Sequence, residues 1–178
     1  MKRTIAWAAL LVLWSSLTGC VSSSTVRNAS PVIAAKPFAL DLILVKTTSS
    51  EPNLDAEKQT LNDAIASGLR DTHLFKAASG NRDDLGSGSG ITVTAEITAI
   101  KKISKNHRLW AGAMAGRARI WIHVTVSDLN SGQPMETFDA YAESSGGSAL
   151  AGTTDEAIAR VAESVVGEVL KVNAQTAE

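Results

Sequence analysis

Apolar and polar positions change their period several times along this chain, and each change marks an element. Residues 38–46 place Phe38, Leu40, Leu42 and Leu44 on one side of an extended segment, with Ile43 and Val45 apolar on the other. A strand apolar on both sides is covered on both faces, so the pattern predicts a central strand. Leu54, Leu61, Ile65 and Leu69 then recur at helical spacing, with Asn53 placed to cap the helix. Leu74 and Phe75 are expected to close that helix against the sheet, and residues 79–90 form a loop by composition. From residue 91 the period becomes two: Ile91, Val93, Ala95, Ile97 and Ala99 alternate with Thr92, Thr94, Glu96 and Thr98. The clearest alternation lies in residues 117–128, with Ile120, Ile122, Val124 and Val126 inward and Trp121, His123, Thr125 and Ser127 outward. Asn130, Ser131 and Gly132 make a tight hairpin connection, and residues 134–142 return with Phe138, Ala140 and Ala142 inward. Thr153 and Glu156 have the spacing of a capping box ahead of Ile158, Val161, Val165, Val169 and Val172, the buried stripe of a last helix.

The predicted order is β-α-β-β-β-α. Its fold class is α+β, a two-layer domain with a mainly antiparallel sheet and two helices packed on it. A chain of 178 residues suits one such domain, and no repeat of 20–50 residues is visible. The expected organisation is a signal peptide at 1–19, an acylated Cys and flexible tether at 20–36, the domain at 37–173, and a short tail at 174–178.

The first segment reads as an address. Lys2 and Arg3 precede an apolar run over residues 5–14, too short to span a bilayer, and small residues follow. Leu17, Thr18, Gly19 and Cys20 resemble the bacterial lipobox, which implies cleavage between Gly19 and Cys20, a diacylated Cys20 thiol and an acylated new amino terminus. Two or three acyl chains hold a protein on a membrane essentially permanently. The resemblance extends to sorting: Val21, in place of the Asp that retains enterobacterial lipoproteins in the inner membrane, implies the outer membrane, with the periplasmic face of the inner membrane as the alternative. The Ser-rich residues 21–36 have no apolar period and read as the tether.

Charge and composition narrow the functions further. Cys20 is the only Cys, so a disulfide framework and a Cys-rich metal site are excluded. His73, His107 and His123 are too far apart in sequence for a helical metal pair, and no cofactor beyond the covalent lipid is expected. Loss of Lys2 and Arg3 with the signal leaves 15 basic against 18 acidic residues, a balance that gives no reason to expect nucleic acid.

No catalytic motif appears. The glycines at 86, 88 and 90 precede a strand, whereas phosphate-cradling glycines follow a strand and open a helix. Asn81, Asp83 and Asp84 suggest a calcium loop, but counting from Gly86 puts Leu85 and Thr92 where oxygen donors belong. His73 ends a helix, where a cation suits the dipole. His123, Asp139 and Tyr141 project from the outward strand face, either as solvated strand residues or as parts of a small-ligand site.

The segment 101–119 stands apart. It carries Lys101, Lys102, Lys105, Arg108, Arg117 and Arg119 with no acid, leaving 9 basic against 18 acidic residues in the rest of the mature chain. Such polarity draws anionic partners, whereas a solvated connection with edge-strand charges would need none. Inside this basic frame lies an apolar stretch, 109–116, with Trp110, Gly112, Met114 and Gly116. It is either an exposed contact surface or a loop folded under the sheet.

Residues 109–119, continuing through Val124 to Asp128 and Asn130 to Gly132, resemble a family of small bacterial lipoproteins defined as a domain of unknown function. The family pairs a Gly-x-x-x-Gly-Arg-Ala segment with a strand hairpin, a Gly-rich stretch (here from Gly146 to Gly152) and a terminal helix. More remotely, the element order is similar to that of the TolB N-terminal and curli-secretion-lipoprotein domains, which are interaction and assembly modules. The resemblance implies no catalytic residue. The expectation is a lipid-anchored, non-catalytic binding or adaptor module of the cell envelope, held to the membrane and contacting an envelope protein or anionic envelope polymer through residues 101–119. A homo-oligomeric envelope component is the first alternative, and a small-ligand binder or enzyme the second.

Overall fold

The structure is a computed structural model that describes residues 24–31, 42–111, 116–146 and 152–175. In chain order it contains β1 (Ser24–Pro31), β2 (Leu42–Ser49), α1 (Asp55–Asp71), β3 (Ala77–Ser79), a 3-10 turn (Arg82–Asp84), β4 (Gly90–Lys101), α2 (Lys105–Ala111), β5 (Arg119–Asp128), β6 (Pro134–Glu143) and α3 (Thr154–Gln175). The strands form one six-stranded sheet in the order β1-β6-β5-β4-β2-β3. The chain is α+β with two substantial helices, as the periodicity predicts.

The core fills the space between one sheet face and the pair α1 and α3. Ile43, Val45, Val93, Ile97, Ile120, Ile122, Val124 and Phe138 meet Leu61, Ile65, Leu69, Ile158, Val161 and Val165 there, all essentially inaccessible. Each such side chain contributes about 1.5–3 kcal/mol on leaving water. The two helices touch closely at Gly68, where a Cβ would stand 2.8 Å from a Val166 methyl. On the opposite face a small second cluster of Leu42, Leu44 and Leu85 covers β2. The strand is therefore apolar on both sides, as expected, while Phe38 and Leu40 lie outside the described residues.

Pairing between β1, β6, β5 and β4 is antiparallel, but β2 runs parallel to both β3 and β4. Parallel neighbours need a crossover on one face, and α1 supplies it. Gly90 seats this crossover: its missing side chain would lie 2.0 Å from the Leu42 carbonyl oxygen.

Four sequence expectations are corrected. Ser24–Pro31, placed in the tether by its composition, is an edge strand paired with β6 from Ser24↔Ala142 to Pro31↔Glu136. Its ladder is made by main-chain groups, which a Ser-rich sequence supplies as well as any other. Asn53 does not cap α1: it sits at φ 60°, a conformation Asn tolerates, and Leu54 takes the N-cap position without a side-chain cap. Leu74 is 52% exposed, leaving Phe75 to pack on the core. At α3, the Thr153 hydroxyl accepts from the Glu156 N–H at 3.4 Å, one half of the capping box. The Glu156 carboxylate, however, accepts from the Ser145 N–H and hydroxyl, the Gly152 N–H and the Arg160 guanidinium. The α3 stripe holds through Val169, and the Val172 side chain lies outside the description.

Candidate functional site

The basic segment begins where β4 ends. Lys101 pairs with Arg119, and Arg119 with Glu143, so three strand ends share one row of the sheet. Ser24, the first residue of β1, pairs with Ala142 beside that row. After Lys101 the chain dips into the helix layer, where Ile103 is buried and its N–H donates to the Thr154 hydroxyl at 2.9 Å. It then re-emerges as α2, where the sequence alone suggests a loop. Leu109 and Trp110 on α2 are exposed, Trp110 by 93%. The apolar stretch thus starts exposed, not buried under the sheet. Gly112 and Met114 lie outside the described residues, as do the side chains of Lys105 and Arg108. Gly116 sits at φ 79°, where a glycine is needed for the chain to turn back into β5.

The cations of the segment divide into two groups. Lys102 reaches Glu57 at 2.7 Å and the Asn53 carbonyl at 3.3 Å, tying the segment to the start of α1. Arg117 and Arg119 both donate to Glu143, at 2.6 and 2.9 Å, and the Tyr141 hydroxyl donates to the same carboxylate at 2.8 Å. Hydrogen bonding from Arg117, then from Tyr141, holds the Glu143 carboxyl below its ordinary range. Burial, followed by the bond to Glu143, pushes the Tyr141 hydroxyl above its ordinary range. These two arginines therefore organise the strand ends, whereas Lys101 is exposed at the rim.

The helix-free face of the sheet carries the other candidates. Trp121 and Tyr141 stack at a tilt with centroids 5.0 Å apart. They border a shallow groove of about 450 Å³ with Thr25, Arg27, Thr98 and Asp139. His123 Nδ1 and an Asp139 carboxylate oxygen are 2.7 Å apart, both half-exposed. The structure therefore pairs His123 with Asp139 and turns Tyr141 toward Glu143, so the three share a face without converging on one point. His73 follows the last turn of α1, exposed, at φ 55°. Among the described residues no group of three His, Cys, Asp or Glu could hold a metal ion, and no helix is long and apolar enough to cross a membrane.

Sequence reasoning missed two carboxylates that hold the site together. Glu143 was detectable: the hairpin register sets Arg119 opposite Glu143, with Arg117 two residues before it on the same face. Glu156 was assigned to the capping box, but its carboxylate fastens Ser145 and Gly152, on either side of residues 147–151. Burial alone would raise its pKa, but the N–H groups of Ser145 and Gly152, with Arg160, outweigh burial and bring it down to about 2. Arg27 and Thr25 in the groove were hidden by the assignment of β1 to a tether.

A two-layer domain whose sheet is open on one side, with a short exposed helix at the sheet's end, defines the class of protein. The chain belongs to the family described as a domain of unknown function, DUF4410, which it matches over residues 19–171. No curated protein matches it. It is similar to a DUF330 protein from Xanthomonas campestris, with 12% identity and a TM-score of 0.53, covering 83% of this chain and 96% of that one. It is also similar to the PelC dodecamer from Paraburkholderia phytofirmans, with 13% identity and a TM-score of 0.49, covering 85% and 97%. The likeness to the Xanthomonas protein is one of fold.

Proposed function

We propose that this chain is a lipoprotein anchored through Cys20 to the periplasmic face of the outer membrane, where it acts as a non-catalytic contact module of the cell envelope. The observation that carries the reading is Trp110, 93% exposed on a short helix inside a basic segment. A Trp so exposed is unusual unless something covers it. The leader and the lipobox-like Leu17 to Cys20 support the anchor. The polar groups of the open face engage one another: Glu143 with Arg117, Arg119 and Tyr141, and His123 with Asp139. That mutual pairing favours a binding role over catalysis.

The test combines two variants. Cys20→Ala removes acyl labelling and releases the protein from the membrane fraction. Trp110→Ser leaves the fold intact and abolishes crosslinking to the envelope component captured by a photoreactive residue at 110 in the otherwise unchanged protein. Full membrane retention by Cys20→Ala would refute the anchor, and full capture by a Trp110→Ser protein carrying the photoreactive residue at 109 would refute the contact surface. A second reading, self-association through α2, draws on the same exposed Leu109 and Trp110; it predicts concentration-dependent sedimentation and a self adduct from 110.

A further inference from the structure

The start of β1 fixes which way the domain faces. Only Val21, Ser22 and Ser23 separate Cys20 from Ser24, and four residue steps span at most about 14 Å even when fully extended. Ser24 pairs with Ala142, at the sheet end where Lys101, Arg119 and Glu143 lie and from which α2 emerges. Strands lie roughly 5 Å apart, so Lys101 on β4 is about 14 Å across the sheet from Ser24. The far end of the sheet, with the Asn130 to Gly132 turn, stands about 30 Å away along strands of this length.

An acyl group on Cys20 therefore draws the α2 end of the domain to the bilayer, and we infer that α2 docks on the membrane itself, with Trp110 and Leu109 seated in the lipid interface. The chemistry of this end fits that occupant. Trp favours the headgroup level, where its ring is half in hydrocarbon and its N–H meets polar groups. Leu109 beside it adds apolar area. Lys101 is exposed at the rim, and the α2 sequence adds Lys105 and Arg108, the charge that anionic phospholipids attract. Of the nearby acids, Glu57, Glu143 and Glu156 are each held by a Lys or Arg and oppose that attraction little, while Asp155 beside Ser104 and Asn106 adds a negative charge that the cations of this end outnumber. With this end down, the Trp121–Tyr141 groove lies on the open sheet face two residues from the Arg119–Glu143 pair, about 7 Å further from the lipid than that row.

The inference rests on the anchored reading above, and the test separates the two. Full-length protein is expressed, purified in detergent and placed in vesicles of phosphatidylethanolamine and phosphatidylglycerol with brominated acyl chains. Intact mass comes first: an unacylated Cys20 removes the anchor and this inference together. In the acylated mature chain Trp110 and Trp121 are the only Trp residues, so Trp121→Phe reports Trp110 and Trp110→Phe reports Trp121. The expected result is a blue shift and loss of most Trp110 fluorescence to bromine, with Trp121 quenched clearly less. Acylated protein whose Trp110 emits as in water overturns the docking and leaves the anchor standing. Trp110 shielded from both bromine and aqueous acrylamide overturns it in favour of a protein neighbour, either a second copy or another envelope protein.

Discussion

Replacing Glu156 with Gln should weaken the fold in a pH-dependent manner, and the structure sets both the size and the sign. The carboxylate gathers the Ser145 N–H at 2.9 Å, the Ser145 hydroxyl at 3.0 Å, the Gly152 N–H at 2.6 Å and the Arg160 guanidinium at 2.9 Å. Only 23% of its side chain is exposed, so solvent screens these bonds weakly. Burial opposes the charge, but the donors prevail and bring the pKa from 4.5 to about 2. Such a displacement corresponds to about 3 kcal/mol as a ceiling. The folded pKa lies below the unfolded one, so this stability is fully present above pH 4.5 and is lost as pH falls toward 2. Urea unfolding of the mature wild-type and E156Q proteins between pH 2 and 7, followed by circular dichroism, measures it. The variant should be about 2–3 kcal/mol less stable near neutrality, and the two curves should converge as the wild-type carboxylate takes up its proton. A stability difference that stays constant down to pH 2 would show that Glu156 acts by shape and not by charge, refuting the reasoning.

Two further changes test the packing and the strand-end cluster. Gly90→Ala drives a methyl into the Leu42 carbonyl and should cost several kcal/mol or prevent folding, whereas Gly167→Ala, with nothing within 4 Å of the new methyl, should stabilise α3 by about 0.5–1 kcal/mol; the urea midpoints of the two variants decide. Glu143→Ala strips Arg117 and Arg119 of their shared partner and should cost about 2–3 kcal/mol, while lowering the Tyr141 pKa read by ultraviolet titration; an unchanged Tyr141 titration would break the proposed link between them.

The elements that were legible in the sequence are those that bury one face. β4, β5 and β6 alternate with period two because one side meets the helices and the other meets water, and α3 shows its stripe for the same reason. The parallel direction of β2 was not legible, since periodicity records burial and not strand sense. β1 escaped because only Val26 of its described side chains packs against the core, and one apolar position makes no period. α2 escaped because seven residues hold too little period to set a helix apart from a loop. At the candidate site, the sequence singled out Trp110 and the cations around it but could not choose between exposure and burial, which depends on where Ile103 is anchored. It also grouped Arg117 and Arg119 with the free cations, when strand register hands both to Glu143.

The pairing of β1 with β6 also carries a consequence for the order of assembly. The residues of β1 leave the ribosome early, yet their partner in the sheet among the described residues lies near the opposite end of the chain. Contacts so distant in sequence close slowly, since the loop between them must first be ordered. The β4–β5–β6 meander, joined by near neighbours, can form before that edge is sealed. In a lipoprotein of the kind proposed above, the segment next to Cys20 would therefore stay unpaired until the last strand has arrived, a delay that would leave the cysteine open to the enzymes that acylate it.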